Sequence, residues 1–212
     1  VHPKELQKLL EKIEGTPEEA LLSRLTLRSM KQAKYSTVNS GHFGLAAKYY
    51  THFTSPIRRY PDLQIHRIIK DDLRGRLDKG GRIGKYSSIL QHVAEQSSAM
   101  EQRAAEAERE AVKLKKAEYM LEHVGEEYDG VISGVTGWGF YVELPNTVEG
   151  LVHIMTLKDD YYNFDEENYR LVGEQHGRVF RLGEPVRVRV RNAEPANRTI
   201  DFTYVEKETE TE

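Results

Sequence analysis

Two adjacent arginines, Arg58 and Arg59, follow closely on a Ser-Pro pair in the segment that covers residues 50–63. Ser55 can accept hydrogen bonds from the first free amides of a helix, and Pro56 suits the first helical position. The spacing therefore predicts a helix N-terminus that carries two guanidinium groups. Backbone donors, the helix dipole and a bidentate guanidinium would together favour a bound phosphate. The alternative is a pair of solvated arginines on an ordinary capped helix.

Helical patterns surround this segment and would have to position it. Leucines at helical spacing predict a first helix over residues 3–14, and the capping pattern of residues 16–19 predicts a second helix that runs to about Gln32. An apolar stripe at helical spacing covers residues 61–73, so the helix would continue beyond Arg59 or restart at Pro61 and would end at Gly75. Residues 35–53 are rich in Ser, Gly and aromatic side chains, which indicates short extended pieces joined by turns.

Ionisable side chains near the arginines do not form a metal-ligand pattern. His42 and His52 lack a spacing such as His-Glu-x-x-His, so we expect structural roles for both. Asp71 and Asp72 are adjacent in sequence, and on a helix adjacent side chains diverge by about 100° and cannot share a metal ion.

A long charged stretch runs from Ser87 to about Glu122. Residues 97–101 have the pattern of a capping box, which predicts two helices with a break at that point. Most charged side chains here have opposite partners three or four residues away, as is typical of a solvated helix. Glu108 stands among alanines, and we expect it to face something specific.

Apolar residues alternate between glycine turns from Gly125 onward, as they do in the strands of a small barrel. Valines alternate with Arg187, Arg189 and Arg191, so these arginines would line the face opposite the valines. Five antiparallel strands with a loop insertion over about residues 158–177 describe an OB-type barrel. The predicted fold class is therefore α+β, with helices followed by this barrel. Such barrels commonly bind single-stranded oligonucleotides, although fold alone does not establish function.

The charge of the chain is divided unevenly. Residues 1–120 carry 22 lysines and arginines against 15 aspartates and glutamates, whereas residues 121–212 carry 9 against 19. The resulting net charges of +7 and −10 favour two domains and give the first a surface compatible with a polyanion. An accidental distribution of surface charge is the alternative.

The composition limits the location of the protein. The chain has no cysteine, which is compatible with a reducing compartment, and we expect the cytoplasm. Because no apolar run approaches the roughly 20 residues that span a bilayer, we expect a soluble protein without a membrane partner. A start at Val1 suggests a fragment or a processed chain, and we expect a monomer.

Several motifs together resemble the C-terminal part of the catalytic RNB domain in the ribonuclease R family. In chain order they are Arg28-Ser29-Met30, Gly41-His42-Phe43-Gly44-Leu45, the stretch from His52 to Tyr60, Asp62-Leu63 and His66-Arg67. From Gly125 the chain resembles an S1-type RNA-binding domain, through the segments Gly137-Trp138-Gly139-Phe140-Tyr141-Val142 and Glu149-Gly150-Leu151-Val152-His153-Ile154. The resemblance implies an RNB part over residues 1–122, an S1-type barrel over residues 123–206 and an acidic tail over residues 207–212. We expect the tail to be disordered.

This resemblance implies processive hydrolysis of RNA from its 3′ end, with release of 5′-mononucleotides. The family holds Mg²⁺ through an aspartate cluster upstream of the first residue here, so we expect no metal ligand in this chain. Arg58 matches the arginine that engages the scissile phosphate and favours its developing charge. Arg59 is a neighbour in support, and Glu108 matches a glutamate near the nucleotide.

In the barrel, Trp138 and Tyr141 match the aromatic pair that stacks on RNA in S1-type domains. His153 matches a third surface residue, and Arg198 matches a basic residue. Tryptophan replaces the more frequent phenylalanine, which should preserve stacking. The implied partner is single-stranded RNA.

The negative charge of the second half opposes tight RNA binding unless Arg187, Arg189 and Arg191 concentrate positive charge on one face. Two hypotheses follow. The chain is part of a metal-dependent exoribonuclease and is inactive alone because its metal ligands are missing, or it is a non-catalytic RNA-binding or interaction module.

Overall fold

The computed structural model describes residues 3–15 and 19–206 of the chain. Its contacts divide the chain into two compact units, Val1–Ala107 and Glu108–Glu212. The predicted capping pattern of residues 16–19 lies largely outside the described residues, and so does the predicted acidic tail of residues 207–212. In the described parts of the chain, no helix is long and apolar enough to cross a membrane.

The first unit is helical. Its helices are α1 (Pro3–Ile13), α2 (Glu19–Ser29), α3 (Tyr60–Leu73) and the first part of α4 (Arg82–Leu121). The segment between α2 and α3 has little regular structure, and an isolated bridge joins His42 to Ala47 within it. This agrees with the turns expected from its composition.

Helix α3 does not begin at Ser55, and its start at Tyr60 agrees with the alternative of a restart near Pro61. Its N-cap is Arg59, which has extended backbone angles, and Pro61 occupies the first turn. Residues 55–59 instead form a turn in which the Ser55 carbonyl accepts the Arg59 amide at 3.0 Å. The amide of Ser55 donates to Oδ2 of Asp62 at 2.8 Å. The helix start at Ser55 was therefore wrong, because a side chain inside α3 fixes the preceding segment as a turn.

Helix α4 is continuous, so the predicted break near residues 97–101 was also wrong. Ser98 is not a cap there. Its Oγ donates to the carbonyl of Ala94 at 2.8 Å and accepts the amide of Tyr35 at 2.9 Å, so the serine is satisfied within the helix.

The second unit contains a closed barrel of five strands. They are β1 (Glu127–Thr136), β2 (Gly139–Glu143), β3 (Glu149–His153), β7 (Pro185–Glu194) and β8 (Thr199–Val205). Around the barrel they follow the order β1-β2-β3-β8-β7. The barrel is mixed and not purely antiparallel as predicted, because β8 runs parallel to β3. The chain leaves β3 through a short 3-10 turn and an inserted sheet before it returns as β7, so β3 and β8 are not joined by a hairpin.

The predicted loop over residues 158–177 largely forms that inserted sheet. Its strands β4 (Tyr162–Asp165), β5 (Arg170–Gly173) and β6 (Val179–Arg181) pair antiparallel. The expectation of a loop was wrong because Leu171 and its cross-strand partner Phe180 are fully buried. The ring of Phe180 stacks on Phe140 of the barrel with centroids 4.7 Å apart.

The hydrophobic core lies in the second unit. Fully buried side chains at its centre include Phe140, Phe202 and Met120, the last from the end of α4. Gly150 is required beneath the ring of Phe202, since a Cβ there would lie 2.6 Å from a ring carbon. In the first unit, by contrast, Ile13 and Ala94 are the only buried hydrophobic residues among the side chains that the structure describes.

Candidate nucleic-acid interface

Exposed aromatic and imidazole groups lie on the outer face of the barrel. Along β2 the side chains of Phe140 and Val142 enter the core, so Tyr141 points outward and is half-buried. Along β3 the same alternation buries Val152 and turns His153 outward. Gly139 pairs with His153 across these two strands.

Trp138 occupies the turn between β1 and β2, directly beside that pair, with 54% of its surface exposed. Its carbonyl accepts the amide of Ile154 at 2.9 Å, which ties the turn to the end of β3. Gly139 has φ 146°, and a Cβ there would lie 2.1 Å from the carbonyl oxygen of Val152. A glycine is therefore needed for the close approach that places Trp138 next to His153.

The hydrogen bond to His153 fixes which ring nitrogen faces outward as a donor. Nδ1 accepts the amide of Met155 at 3.2 Å. In the neutral ring the proton must then reside on Nε2, which can donate to a phosphate, a ribose hydroxyl or a base. Trp138 in the turn and the outward-facing Tyr141 and His153 thus offer two aromatic rings and one N–H donor near the pairing of β2 with β3.

The arginines of β7 lie outside the barrel as predicted from their alternation, but Arg187 and Arg189 are engaged by a carboxylate. Glu127 accepts from Arg189 Nη2 at 2.6 Å and from Arg187 Nε at 3.0 Å. These bonds lower the pKa of Glu127 and raise that of Arg187. Arg191 is exposed and makes no hydrogen bond or ion pair to another described residue.

Arg198 lies in the turn between β7 and β8 with φ 57°. Its Nη1 is 3.0 Å from Oε2 of Glu110 on α4. The pKa of Glu110 is lowered, first by its bond to Lys113 and further by Arg198. Of the four arginines in β7 and the turn that follows it, Arg187 and Arg189 thus share Glu127 and Arg198 binds Glu110, while Arg191 has no side-chain partner among the described residues.

Glu108 is exposed on α4, and its carboxylate makes no hydrogen bond or ion pair to another described residue. It borders a shallow apolar cleft together with Val112, Tyr119 and Val148. Arg58, the expected catalytic residue, belongs to the other compact unit.

Arg58 and Arg59 differ sharply in their surroundings. The side chain of Arg59 is largely buried and donates to Oδ2 of Asp62 through Nη2 at 2.8 Å and Nε at 3.2 Å. Arg58 is exposed, and its guanidinium contacts no other described residue through a hydrogen bond or ion pair. Of these two arginines, Arg58 is therefore the one whose guanidinium is free to meet an anion.

Asp62 is the organising residue of this turn. Its side chain is fully buried, and its Oδ1 atom has no hydrogen-bond partner among the described residues. Burial alone would raise the pKa of Asp62, but the Ser55 amide and the Arg59 guanidinium outweigh it and hold the pKa below its usual value. No role for Asp62 was predicted from its motif. Its position three residues after Arg59 could have indicated an ion pair, because side chains three residues apart lie on the same face of a helix.

Aromatic rings line a cavity of about 520 Å³ in the first unit. The hydroxyl of Tyr35 lies 2.8 Å from Nδ1 of His52, and Tyr50 contacts both His52 and His42 edge to face. Burial raises the pKa of Tyr35. These ring contacts agree with the structural roles expected for His42 and His52.

Magnesium would need a cluster of oxygen ligands. Across residues 3–15 and 19–206, no group of three or more His, Asp or Glu side chains is placed to hold a metal ion. The carboxylate of Asp71 instead accepts hydrogen bonds from Arg76, Arg82 and Tyr86. The described residues do not fit a magnesium site.

Comparisons with known proteins place both halves of the chain. Residues 1–75 match the RNB domain family, and residues 122–204 match the S1 RNA binding domain family. Ribonuclease R 1 of Lactococcus lactis is 50% identical over 208 residues, which cover 98% of this chain and 25% of that protein. Ribonuclease R of Escherichia coli is 43% identical over 97% of this chain and 26% of its own length. The chain thus spans about a quarter of these relatives.

The fold of the chain is similar to that of a solved ribonuclease R structure. Mycoplasma genitalium RNase R in complex with ribose-methylated single-stranded RNA superposes with a TM-score of 0.90 at 26% sequence identity, over 97% of this chain and 32% of that one. Its apo form matches equally well.

Proposed function

Because the chain belongs to the ribonuclease R family, we propose that it is part of an exoribonuclease that degrades RNA, in which the barrel grips single-stranded RNA. The observation that carries this proposal is the outer face of the barrel, where Trp138 is exposed next to the Gly139–His153 pair and where Tyr141 and His153 face outward. Stacking accepts every base, so the aromatic side chains Trp138 and Tyr141 can hold single-stranded RNA of any sequence.

The reaction that we propose is hydrolysis from the 3′ end. A water oxygen attacks the phosphorus of the last phosphodiester, the bond from phosphorus to O3′ breaks, and the shortened RNA keeps that oxygen as its new 3′ hydroxyl. The product is a 5′-mononucleotide. The likeness to a ribonuclease R structure solved with single-stranded RNA supports a strand that enters unpaired.

Arg58 has the role of stabilising the charge that develops on the non-bridging phosphate oxygens. Its exposed guanidinium, free of partners among the described residues, supports this assignment. Arg59 is already bound by Asp62 and acts by holding the turn. Glu108 remains a proposed contact near the nucleotide.

Mg²⁺ is the metal that the likeness to the family implies. When bound, it would stabilise negative charge on the phosphate and activate the attacking water. Since the described residues do not fit such a site, we derive no step through the metal. We propose that its ligands lie outside this chain and that the 212-residue chain alone does not degrade RNA. Among the described side chains of the first unit, Ile13 and Ala94 are the only buried hydrophobic residues and Ile57 and Leu73 are exposed, which supports the view that this unit is not a whole catalytic domain.

A non-catalytic RNA-binding module is the second candidate, since the same barrel face would serve it. Incubation of the purified chain with Mg²⁺ and labelled RNA tests the inactivity of the chain, and mononucleotide release would refute it. If the full-length protein with Mg²⁺ also left a single-stranded RNA intact, this result would favour the second candidate. The monomeric state and the cytoplasmic location stay predictions, and sedimentation of the chain would test the first.

Replacement of Trp138 by alanine tests the RNA-binding face itself. We expect the affinity for a fluorescent oligouridine to weaken by about 1–3 kcal/mol, the usual value of one base–aromatic stack. Tyr169 is exposed in the turn between β4 and β5, and Tyr169→Ala is the matched control that should leave affinity unchanged. Equal affinities for wild type and Trp138→Ala would contradict the proposal.

A further inference from the structure

One row of neighbouring residues crosses the outer face of the barrel. Tyr141 on β2 pairs with Leu151 on β3, Leu151 with Asp201 on β8, and Asp201 with Asn192 on β7. The first three are half-buried and Asn192 is exposed, while the residues flanking Asp201 along β8, Ile200 and Phe202, are buried in the core. We call Tyr141, Leu151, Asp201 and Asn192 the outer row.

The carboxylate of Asp201 lacks a partner within the described part of the chain. No hydrogen bond or ion pair joins it to another described residue, although it is half-buried. Arg187 and Arg189 bind Glu127, and Arg198 binds Glu110, so these arginines do not neutralise it. A half-buried carboxylate without donors is unfavourable, and it is more so on a surface that receives a polyanion. A ligand that brings N–H donors would remove this penalty.

The spacing of the outer row suits one nucleobase. Adjacent strands lie about 4.8 Å apart, so Tyr141 and Asp201 are separated by roughly 10 Å with the apolar Leu151 between them. A base that lies over Leu151 beside Tyr141 would present its edge to Asp201. Each base offers a different edge to that carboxylate.

The chemistry of the edge selects among the bases. An ionised carboxylate only accepts hydrogen bonds, and it accepts best from two adjacent donors. Guanine presents N1–H and the N2 amino group side by side. Adenine and cytosine place a ring acceptor beside their amino group, and uracil places its single N–H between two carbonyls. We propose that Asp201 makes this face of the barrel select guanine in single-stranded RNA.

This inference rests on the proposed function, because it requires RNA on the outer face. The test uses the complete 212-residue chain and three labelled ten-nucleotide RNAs: oligouridine, and oligouridine with one central guanosine or one central inosine. Inosine lacks only the N2 amino group of guanosine. We expect the guanosine RNA to bind about tenfold more tightly than the inosine RNA, since a hydrogen bond to a charged group contributes about that factor.

Asp201→Asn offers one carbonyl acceptor in place of two carboxylate oxygens, and we expect the ratio of guanosine to inosine affinities to fall to about two or less. Glu167→Gln removes the same charge from the turn between β4 and β5 and should keep the tenfold ratio. Equal binding of guanosine and inosine RNAs by wild type overturns the inference alone, and this comparison needs no variant to fold. An unchanged tenfold ratio in Asp201→Asn overturns it as well. Failure to bind any of the RNAs overturns the proposed function and this inference together.

Discussion

The Nη2 atom of Arg59 lies 2.8 Å from Oδ2 of the fully buried Asp62, and the same oxygen accepts the amide of Ser55. One carboxylate thus fixes both ends of the turn that carries Arg58. The two adjacent arginines therefore have different tasks: Arg59 is part of the scaffold, and Arg58 is free to meet an anion.

Asp62→Ala should destabilise the helical unit by about 3 kcal/mol, because it leaves a largely buried guanidinium without its partner. The free energy of unfolding can be followed by far-UV circular dichroism in urea, which reports mainly on helices. Asp72 is exposed on the same helix, and Asp72→Ala should change this free energy by less than about 0.5 kcal/mol. Equal effects of the two variants would contradict the role of Asp62.

Acid should weaken the helical unit through Asp62 and Asp71, whose pKa values are both lowered in the folded state. A carboxyl of this kind contributes its full stability above the unfolded pKa of about 3.9 and loses it as the pH falls through the lower folded pKa. The urea midpoint of the helical signal should therefore fall as the pH drops below about 4. Asp62→Asn should flatten this fall, and an identical pH profile for the variant would count against the assignment.

Arg58→Ala in the complete enzyme should reduce turnover by about 10²–10³-fold, the usual effect of removing one donor to a developing oxyanion. RNA affinity should change much less, which single-turnover kinetics and a binding assay can separate. Arg74 is exposed at the C-cap of α3, so Arg74→Ala serves as the arginine control. Unchanged turnover in Arg58→Ala would remove the role that we assign.

Glu127→Gln should strengthen RNA binding, because Glu127 binds both Arg187 and Arg189. Each arginine that then meets a phosphate should steepen the dependence of log affinity on log salt by about 0.7. Affinities for oligouridine measured at several salt concentrations give this slope. If the slope of Glu127→Gln equals that of wild type, these arginines do not face the RNA.

Local sequence patterns predicted much of the barrel. The strict alternation of Val186, Val188 and Val190 with arginines placed the valines inside and the arginines outside, as the structure confirms. The parallel pairing of β3 with β8 was missed, because register between strands distant in sequence depends on the path of the whole chain. The inserted sheet was missed because its strands have only three or four residues each.

The candidate site was predictable where a residue's neighbours in sequence also determine its environment. Trp138 and His153 come from short motifs whose strands pair directly, and Gly139, the neighbour of Trp138, is the strand partner of His153. The roles of Asp62 and Glu127 depend on contacts that composition does not reveal. Glu127 meets Arg187 and Arg189 only because β1 pairs with β7, about 60 residues away in sequence.

Trp138 is the only tryptophan in the chain, so intrinsic fluorescence at tryptophan wavelengths reports on the proposed stacking surface alone. The most direct measurement is a titration of the 212-residue chain with single-stranded oligouridine, recorded through this fluorescence beside an independent binding assay. Stacking of a base on the exposed indole should quench the signal to saturation, with the same dissociation constant in both assays. RNA binding that leaves the fluorescence of Trp138 unchanged would contradict the account.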